Sequence, residues 1–168
     1  MKNKSIVTIT LCLSIVLISL MVSSCSSGDS APVSMGELDR LNLISLDSTQ
    51  FEFTKGDLRG SLIAVVFSPG CDHCQAQAQE FHQNMDKLQD VTLLMIGSVP
   101  LQQIRDFSVK YELKEFRNVR FAYSSPVTAL SLWRIDNLPH IVLYDKDLKP
   151  VQTFTSTTSV DKILSHLK

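Results

Sequence analysis

A chain of 168 residues with 16 Lys and Arg against 17 Asp and Glu carries a formal net charge of −1. That balance, with no basic cluster, argues against nucleic acid or a polybasic membrane contact as partners. Hydrophobic residues make up 44% of the chain; once a leader and spacer are set aside, about 130 residues remain, enough for one ordinary domain with its own core.

Lys2 and Lys4 precede an uncharged, mostly apolar stretch from Ile6 to Val22, the build of a secretory signal. The stretch closes on Val22-Ser23-Ser24-Cys25, which resembles the bacterial lipoprotein box. That resemblance implies a signal peptide over residues 1–24 and a lipid on Cys25, the first residue of the mature chain. A retained membrane span is the alternative, because Ile6 to Val22 is near the lower length limit for crossing a bilayer. Either way the remainder faces the non-cytoplasmic side. Residues 25–40, Ser-rich from Ser26 and without periodicity, are expected to be a flexible spacer, which leaves 41–168 as the domain.

Leu43 to Thr54 reads as two short extended pieces around an Asp47-Ser48 turn, an N-terminal β-hairpin, and Lys55 to Ser61 as a glycine-bearing loop. Residues 62–74, LIAVVFSPGCDHC, then run from a continuous apolar strand through Pro69 and Gly70 into two cysteines. A run buried on both faces fits a central strand, and the residues after Gly70 fit the start of a helix. From Cys74 the apolar residues Ala78, Phe81, Met85 and Leu88 fall at steps of four and three, one stripe of a helix about five turns long. This spacing turns Cys74 into the core and leaves Cys71 near the surface. Val91 to Ile96 is a second strand, apolar but for Thr92, and Leu101, Ile104, Phe107 and Tyr111 share one helical face. Val119 to Tyr123 is a short strand, Val127 to Ile135 a helix, Ile141 to Tyr144 a buried strand and Val151 to Thr155 a partly polar one. Ser159 can cap a last helix with Val160, Ile163, Leu164 and Leu167 turned inward. Two apolar strands joined by a long helix pair in parallel, and the last two, joined by a few residues, pair antiparallel. These pairings give an α/β fold with a central mixed sheet and helices on both faces.

The four cysteines divide by position. Cys12 leaves with the signal and Cys25 carries lipid, so Cys71 and Cys74 are the remaining thiols. A bridge closing so short a loop contributes little stability, so this pair is there to react or to bind. At a strand-to-helix turn, unpaired backbone N–H groups point at the Cys71 sulfur, and a thiol there is expected to be acidic and reactive. His73, partly protonated, is expected to favour the thiolate, and Asp72 to oppose it.

With Asp57-Leu58-Arg59-Gly60, FSPGCDHC at 67–74 and NLPHIVLYD at 137–145 in this order, the chain resembles the thioredoxin superfamily. Within it, the chain looks like the membrane-tethered TlpA/ResA-type thiol-disulfide oxidoreductases, over nearly the whole domain. The resemblance implies a thioredoxin-like fold, Cys71 as the attacking thiol and Cys74 as the resolving one. It also implies that Pro139 is a cis residue lying against the sulfurs, with Leu138, Pro139 and His140 lining a substrate groove. A trans turn proline before an edge strand is the alternative. The redox-active Cys71–Cys74 disulfide would be the only redox group, with no separate cofactor and no metal. Protein thiols or disulfides would be the substrates, a second protein would recycle the disulfide, and the chain would act as a monomer anchored in the cell envelope by Cys25, facing the periplasm or exterior.

Two departures from that family matter. Pro69 and His73 stand where many relatives have Trp and Pro, and Gln77 stands where the family's helix carries a Glu thought to move protons. Gln cannot titrate, and Glu80 lies on the solvent side of the stripe. Cys74 is therefore expected to lose its proton through water or to the substrate. His140 opens a second reading, a copper or zinc carrier using both thiols with His73 and His140, provided His140 faces the sulfurs; otherwise it is a partly buried surface histidine. A non-catalytic binding module is the third.

Overall fold

A computed structural model describes residues 35–54 and 56–167. A 3₁₀ helix over Gly36–Leu41 leads into strands β1 (Ile44–Ser45) and β2 (Ser61–Phe67). Helix α1 (Asp72–Gln83) and a 3₁₀ turn (Met85–Leu88) come next, then β3 (Val91–Gly97), α2 (Leu101–Lys110) and a 3₁₀ turn (Leu113–Glu115). The chain closes with β4 (Val119–Tyr123), α3 (Pro126–Trp133), β5 (His140–Tyr144), β6 (Pro150–Phe154) and α4 (Val160–Leu164).

The six strands lie in the order β1-β4-β3-β2-β5-β6. β2, β3 and β4 run parallel, with Ser61 opposite Val91 and Phe67 opposite Gly97. β5 is antiparallel to β2 and to β6, and β1 is antiparallel to β4. The two apolar runs thus take the centre of the sheet, where a strand is covered on both faces. On one face Ile63, Val65 and Phe67 pack against Cys74, Ala78 and Phe81 of α1, Ile104 and Phe107 of α2, and Val160 and Ile163 of α4. The other face packs Leu62, Ala64, Val66, Val142 and Tyr144 against Ala129 of α3 and Leu38 and Leu41 of the first 3₁₀ helix. A mixed sheet between two layers of helices is the architecture expected from the sequence.

Four expectations are corrected in detail. The hairpin shrinks to one bridge, Ile44 to Gln50, around a turn in which Asp47 Oδ1 accepts from the Thr49 N–H at 3.0 Å; the main partner of β1 is the edge of β4. The five-turn helix breaks at Asn84 (φ −122°), whose Nδ2 donates to the Glu80 carbonyl at 2.9 Å in competition with the helix. Met85 and Leu88 stay buried because the 3₁₀ turn keeps them on the same side. The last helix is short: its capping Ser159 and buried Val160 and Ile163 are as expected, whereas Leu164 and Leu167 are half-buried. Finally, Met35, Leu38 and Leu41 are buried, so the folded unit begins before residue 41 and takes in the end of the expected spacer. The expected signal peptide 1–24 and the lipidation site Cys25 lie outside the described residues.

The loop before β2 is tied to the sheet by Asp57. Its Oδ2 accepts from the N–H and Oγ1 of Thr54 at 2.9 and 2.7 Å, its Oδ1 pairs with Arg120, and its carbonyl accepts from Thr92 Oγ1 at 3.0 Å. β2 is thereby delivered in register, and its far end carries the two cysteines.

Candidate functional site: a dithiol at the mouth of α1

Cys71 is the N-cap of α1, with extended backbone (φ −91°, ψ 118°), and its Sγ accepts from the Cys74 N–H at 3.3 Å. The sulfur therefore takes one of the donors that the first turn of any helix leaves without a partner. Both residues are free thiols; Cys71 is half-buried, and Cys74 is only 1% exposed among Phe81 and its neighbours. The expected split, Cys71 outward and Cys74 inward, is what the helical stripe produces.

Antiparallel pairing brings a second segment to the sulfur. Because Val66 near the end of β2 lies opposite His140 at the start of β5, the residues just before His140 come to rest beside the turn after β2. The Leu138 carbonyl oxygen sits 3.7 Å from Cys71 Sγ, and the Leu138–Pro139 peptide bond is cis.

Burial pushes the Cys74 thiol up to about 12; its hydrogen bond to Cys71 adds to the rise, and a backbone hydrogen bond at Ser68 offsets part of it. Cys74 therefore keeps its proton at neutral pH. Asp72 and His73 are exposed on the first turn, so their fields on the sulfur are screened by water. His73 has another tie, its carbonyl accepting from Thr157 Oγ1 at 3.1 Å.

Gln77 is buried in α1, one turn beyond Cys74, and both ends of its amide are engaged by the backbone of Thr158. Glu80 is not the solvent-side residue expected: half-buried, it accepts from the Val160 N–H at 2.9 Å and satisfies the start of α4.

His140 departs from expectation most. It is 4% exposed, not a surface residue, and it shares the parity of Val142 and Tyr144 rather than that of Ile141 and Leu143. Strand alternation therefore turns it to the opposite face from the sulfurs, where its ring stacks on Trp133. Its Nδ1 has no hydrogen-bond partner, and burial holds its pKa below the usual histidine range, partly offset by Asp136. The ligand set Cys71, Cys74, His140 is not assembled.

Sequence reasoning missed Thr157 and Thr158, because the hydroxyl-rich run TSTTS at 155–159 signals only a loop. It also missed an apolar cavity of about 370 Å³ beside the site. Val66, Phe67, Val99, Leu130, Ile135 and Leu138 line it. Leu130 and Val127, on the helix that borders this cavity, are 49% and 74% exposed.

No protein-family model matches the sequence, and no curated protein matches it. Solved structures do. A secreted disulfide oxidoreductase of Mycobacterium tuberculosis homologous to E. coli DsbE superposes with a TM-score of 0.58 at 18% identity, over 76% of this chain and 96% of that one. The fold is thioredoxin-like. Copper-bound ScoI of Arabidopsis thaliana shares this fold at 15% identity with a TM-score of 0.56, over 73% of this chain and 90% of that one. The pneumococcal exposed lipoprotein thioredoxin of Streptococcus pneumoniae shares it at 19% identity and a TM-score of 0.54, over 73% and 93%. In the thioredoxin-like frame of this chain, the dithiol stands where β2 hands over to α1, and the cis-proline loop stands over it.

Proposed function

We propose that this chain is a thiol-disulfide oxidoreductase of the TlpA/ResA-like type, working on proteins in the cell envelope. The observation that carries the reading is the pair of sulfurs: Cys71 half-exposed at the mouth of α1, holding the Cys74 N–H, with the Cys74 thiol buried behind it. The Cys71 thiolate attacks one sulfur of a substrate disulfide, forming the Cys71–substrate bond and releasing the other sulfur as thiolate. Cys74 then attacks Cys71 Sγ, breaking the mixed disulfide and closing the Cys71–Cys74 bridge. The substrate gains two electrons and two protons, and the protein loses them; run in reverse, the same steps oxidise a dithiol. With Gln77 unable to titrate and Cys74 held protonated, the proton of Cys74 passes to water or to the departing substrate thiolate. Leu138, beside the attacking sulfur, offers backbone to an extended substrate, and a second protein restores the dithiol.

Tethering by a lipid on Cys25, after loss of residues 1–24, belongs to this reading, as does a monomeric state. The metal-carrier reading loses support from His140, which faces away from the sulfurs, and among the described residues no group of three or more His, Cys, Asp or Glu is placed to hold a metal ion. Insulin reduction with dithiothreitol as reductant is the test, beside the Cys71→Ser and Cys74→Ser variants. The expected result is activity in the unaltered chain and none in Cys71→Ser, while reduced Cys74→Ser, mixed with insulin after dithiothreitol is removed, should accumulate a mixed disulfide on Cys71. Activity that survives loss of Cys71 overturns the reading.

A further inference from the structure

The loop that presents Leu138 to the sulfur is closed at its neck by the two residues that flank it. Trp133 ends α3 and His140 begins β5; residues 134–139 run between them past Cys71 and supply Ile135, Asp136, Asn137 and Leu138 to the cavity wall. The rings of Trp133 and His140 stack with centroids 6.0 Å apart and planes 18° from parallel. One carboxylate oxygen then ties this neck to the N-terminal 3₁₀ helix. Glu37 Oε1 accepts from Tyr144 Oη at 2.5 Å and from Trp133 Nε1 at 3.4 Å. It therefore grips the residue that leads into the loop and a residue on the strand that leads out.

We propose that Glu37 is a positioning residue for the substrate: by holding Trp133 and Tyr144 together it keeps the 134–139 loop in the shape that receives an extended peptide at Leu138. This rests on the thiol-disulfide reading. Two features give the contact leverage. Tyr144 is fully buried, and its hydroxyl has the Glu37 carboxyl oxygen as a partner at the short distance of 2.5 Å. And without a pinned neck, the order of the loop would have to be imposed when a peptide binds, at the expense of affinity. Glu37 does not reach the reacting sulfur; Tyr144 belongs to the sheet face opposite Cys74. Chemistry at Cys71 and recognition of a polypeptide should therefore separate.

The test uses the full-length chain, with insulin as a polypeptide disulfide and the small aromatic disulfide DTNB as a probe that needs no groove. Glu37→Ala, which removes both hydrogen bonds, should raise KM for insulin at least about two- to tenfold, the span of one typical bond, with kcat and the DTNB rate unchanged. Glu37→Gln, whose amide oxygen still accepts from both donors, should restore KM. Amide hydrogen exchange over 134–140 should quicken in Glu37→Ala and not in Glu37→Gln. If Glu37→Ala does not fold, Trp133→Phe keeps the ring stack and loses the N–H, and should shift KM and exchange in the same sense. Wild-type KM and wild-type exchange in these variants overturn the proposal, and so does a DTNB rate that falls as far as the insulin rate. Were the unaltered chain inert toward both disulfides, the oxidoreductase reading would fall and substrate positioning with it, while unchanged loop exchange in an active chain would sink the role of Glu37 alone.

Discussion

Gln77 and Thr158 hold each other at both ends of one amide. Gln77 Nε2 donates to the Thr158 carbonyl at 3.0 Å, and the Thr158 N–H donates to Gln77 Oε1 at 2.7 Å, both out of contact with water. The neighbouring ties, Thr157 to the His73 carbonyl and Val160 to Glu80, fall one turn to either side along the same face of α1. The helix that begins at Cys71 is stitched to the segment entering α4 at three successive points. Gln77 is thus a structural clamp between α1 and the segment entering α4.

Gln77→Glu converts that clamp into a conflict. A carboxylate still accepts from the Thr158 N–H but sets its second oxygen against the Thr158 carbonyl, leaving a buried acceptor without a donor; the expected loss is about 1–3 kcal/mol. Burial raises the folded pKa of the new carboxyl above its unfolded value of about 4.3, so the protonated form, which can donate to Thr158, is favoured in the fold. The deficit against the parent should be small near about pH 4 and grow as pH rises past the unfolded pKa. Urea denaturation at the two ends of that range checks it, and an equal deficit at both ends speaks against the clamp.

Cys74 should make the fold less stable in alkali. In the unfolded chain its thiol ionises from the ordinary value of 9.0, whereas in the fold it stays protonated to about 12. Between those values the folded state binds more protons than the unfolded state, so stability falls as pH rises, by at most about 1.4 kcal/mol per pH unit. The Tyr144 hydroxyl, also pushed up, chiefly by burial, adds a slope of the same sign above its ordinary value of 10.0. Cys74→Ala should flatten the slope in urea melts between about pH 8.5 and 10; an unchanged slope contradicts the assignment.

His140 works on the acid side. Its folded pKa lies below the ordinary 6.5, so the unfolded state gains a proton first and stability declines as pH drops through 6.5 toward the folded value. His140→Phe keeps an aromatic ring against Trp133 and removes the partnerless Nδ1. Its midpoint should depend less on pH between about 7.5 and 5 than that of the parent, which thermal unfolding in the dithiol form can read. Equal pH dependence would show that His140 is not the group being titrated.

Gly60, at φ 64°, turns the chain into β2 where a Cβ would stand 2.6 Å from the Asp90 carbonyl oxygen. Gly60→Ala combines a left-handed residue with a backbone clash and should cost about 2 kcal/mol or more. The readout is the urea midpoint, with the alkylation rate of Cys71 as a control that the far end of β2 is undisturbed. A midpoint equal to the parent's means the loop has room that this geometry denies it.

Features written in local periodicity were legible before the chain was folded. The apolar run at 62–67 and the run at 91–96, apolar but for Thr92, read as covered strands, and steps of three and four from Cys74 put one thiol inside and the other at the rim. The place of Pro139 beside Cys71 was implied by the family resemblance and not by periodicity. Features that depend on partners distant in the chain arose only with the three-dimensional arrangement. Gln77 and Thr158 are 81 residues apart, and nothing near either announces the other. His140 takes the far face because the β2–β5 register sets its parity, and the segment around Glu37 is folded because Leu38 and Leu41 find a sheet face that their own Ser-rich surroundings do not advertise. Periodicity is a property of one segment and survives in the sequence; register, a buried amide's partner and a ring stack are relations between segments, and they exist only once the sheet has closed.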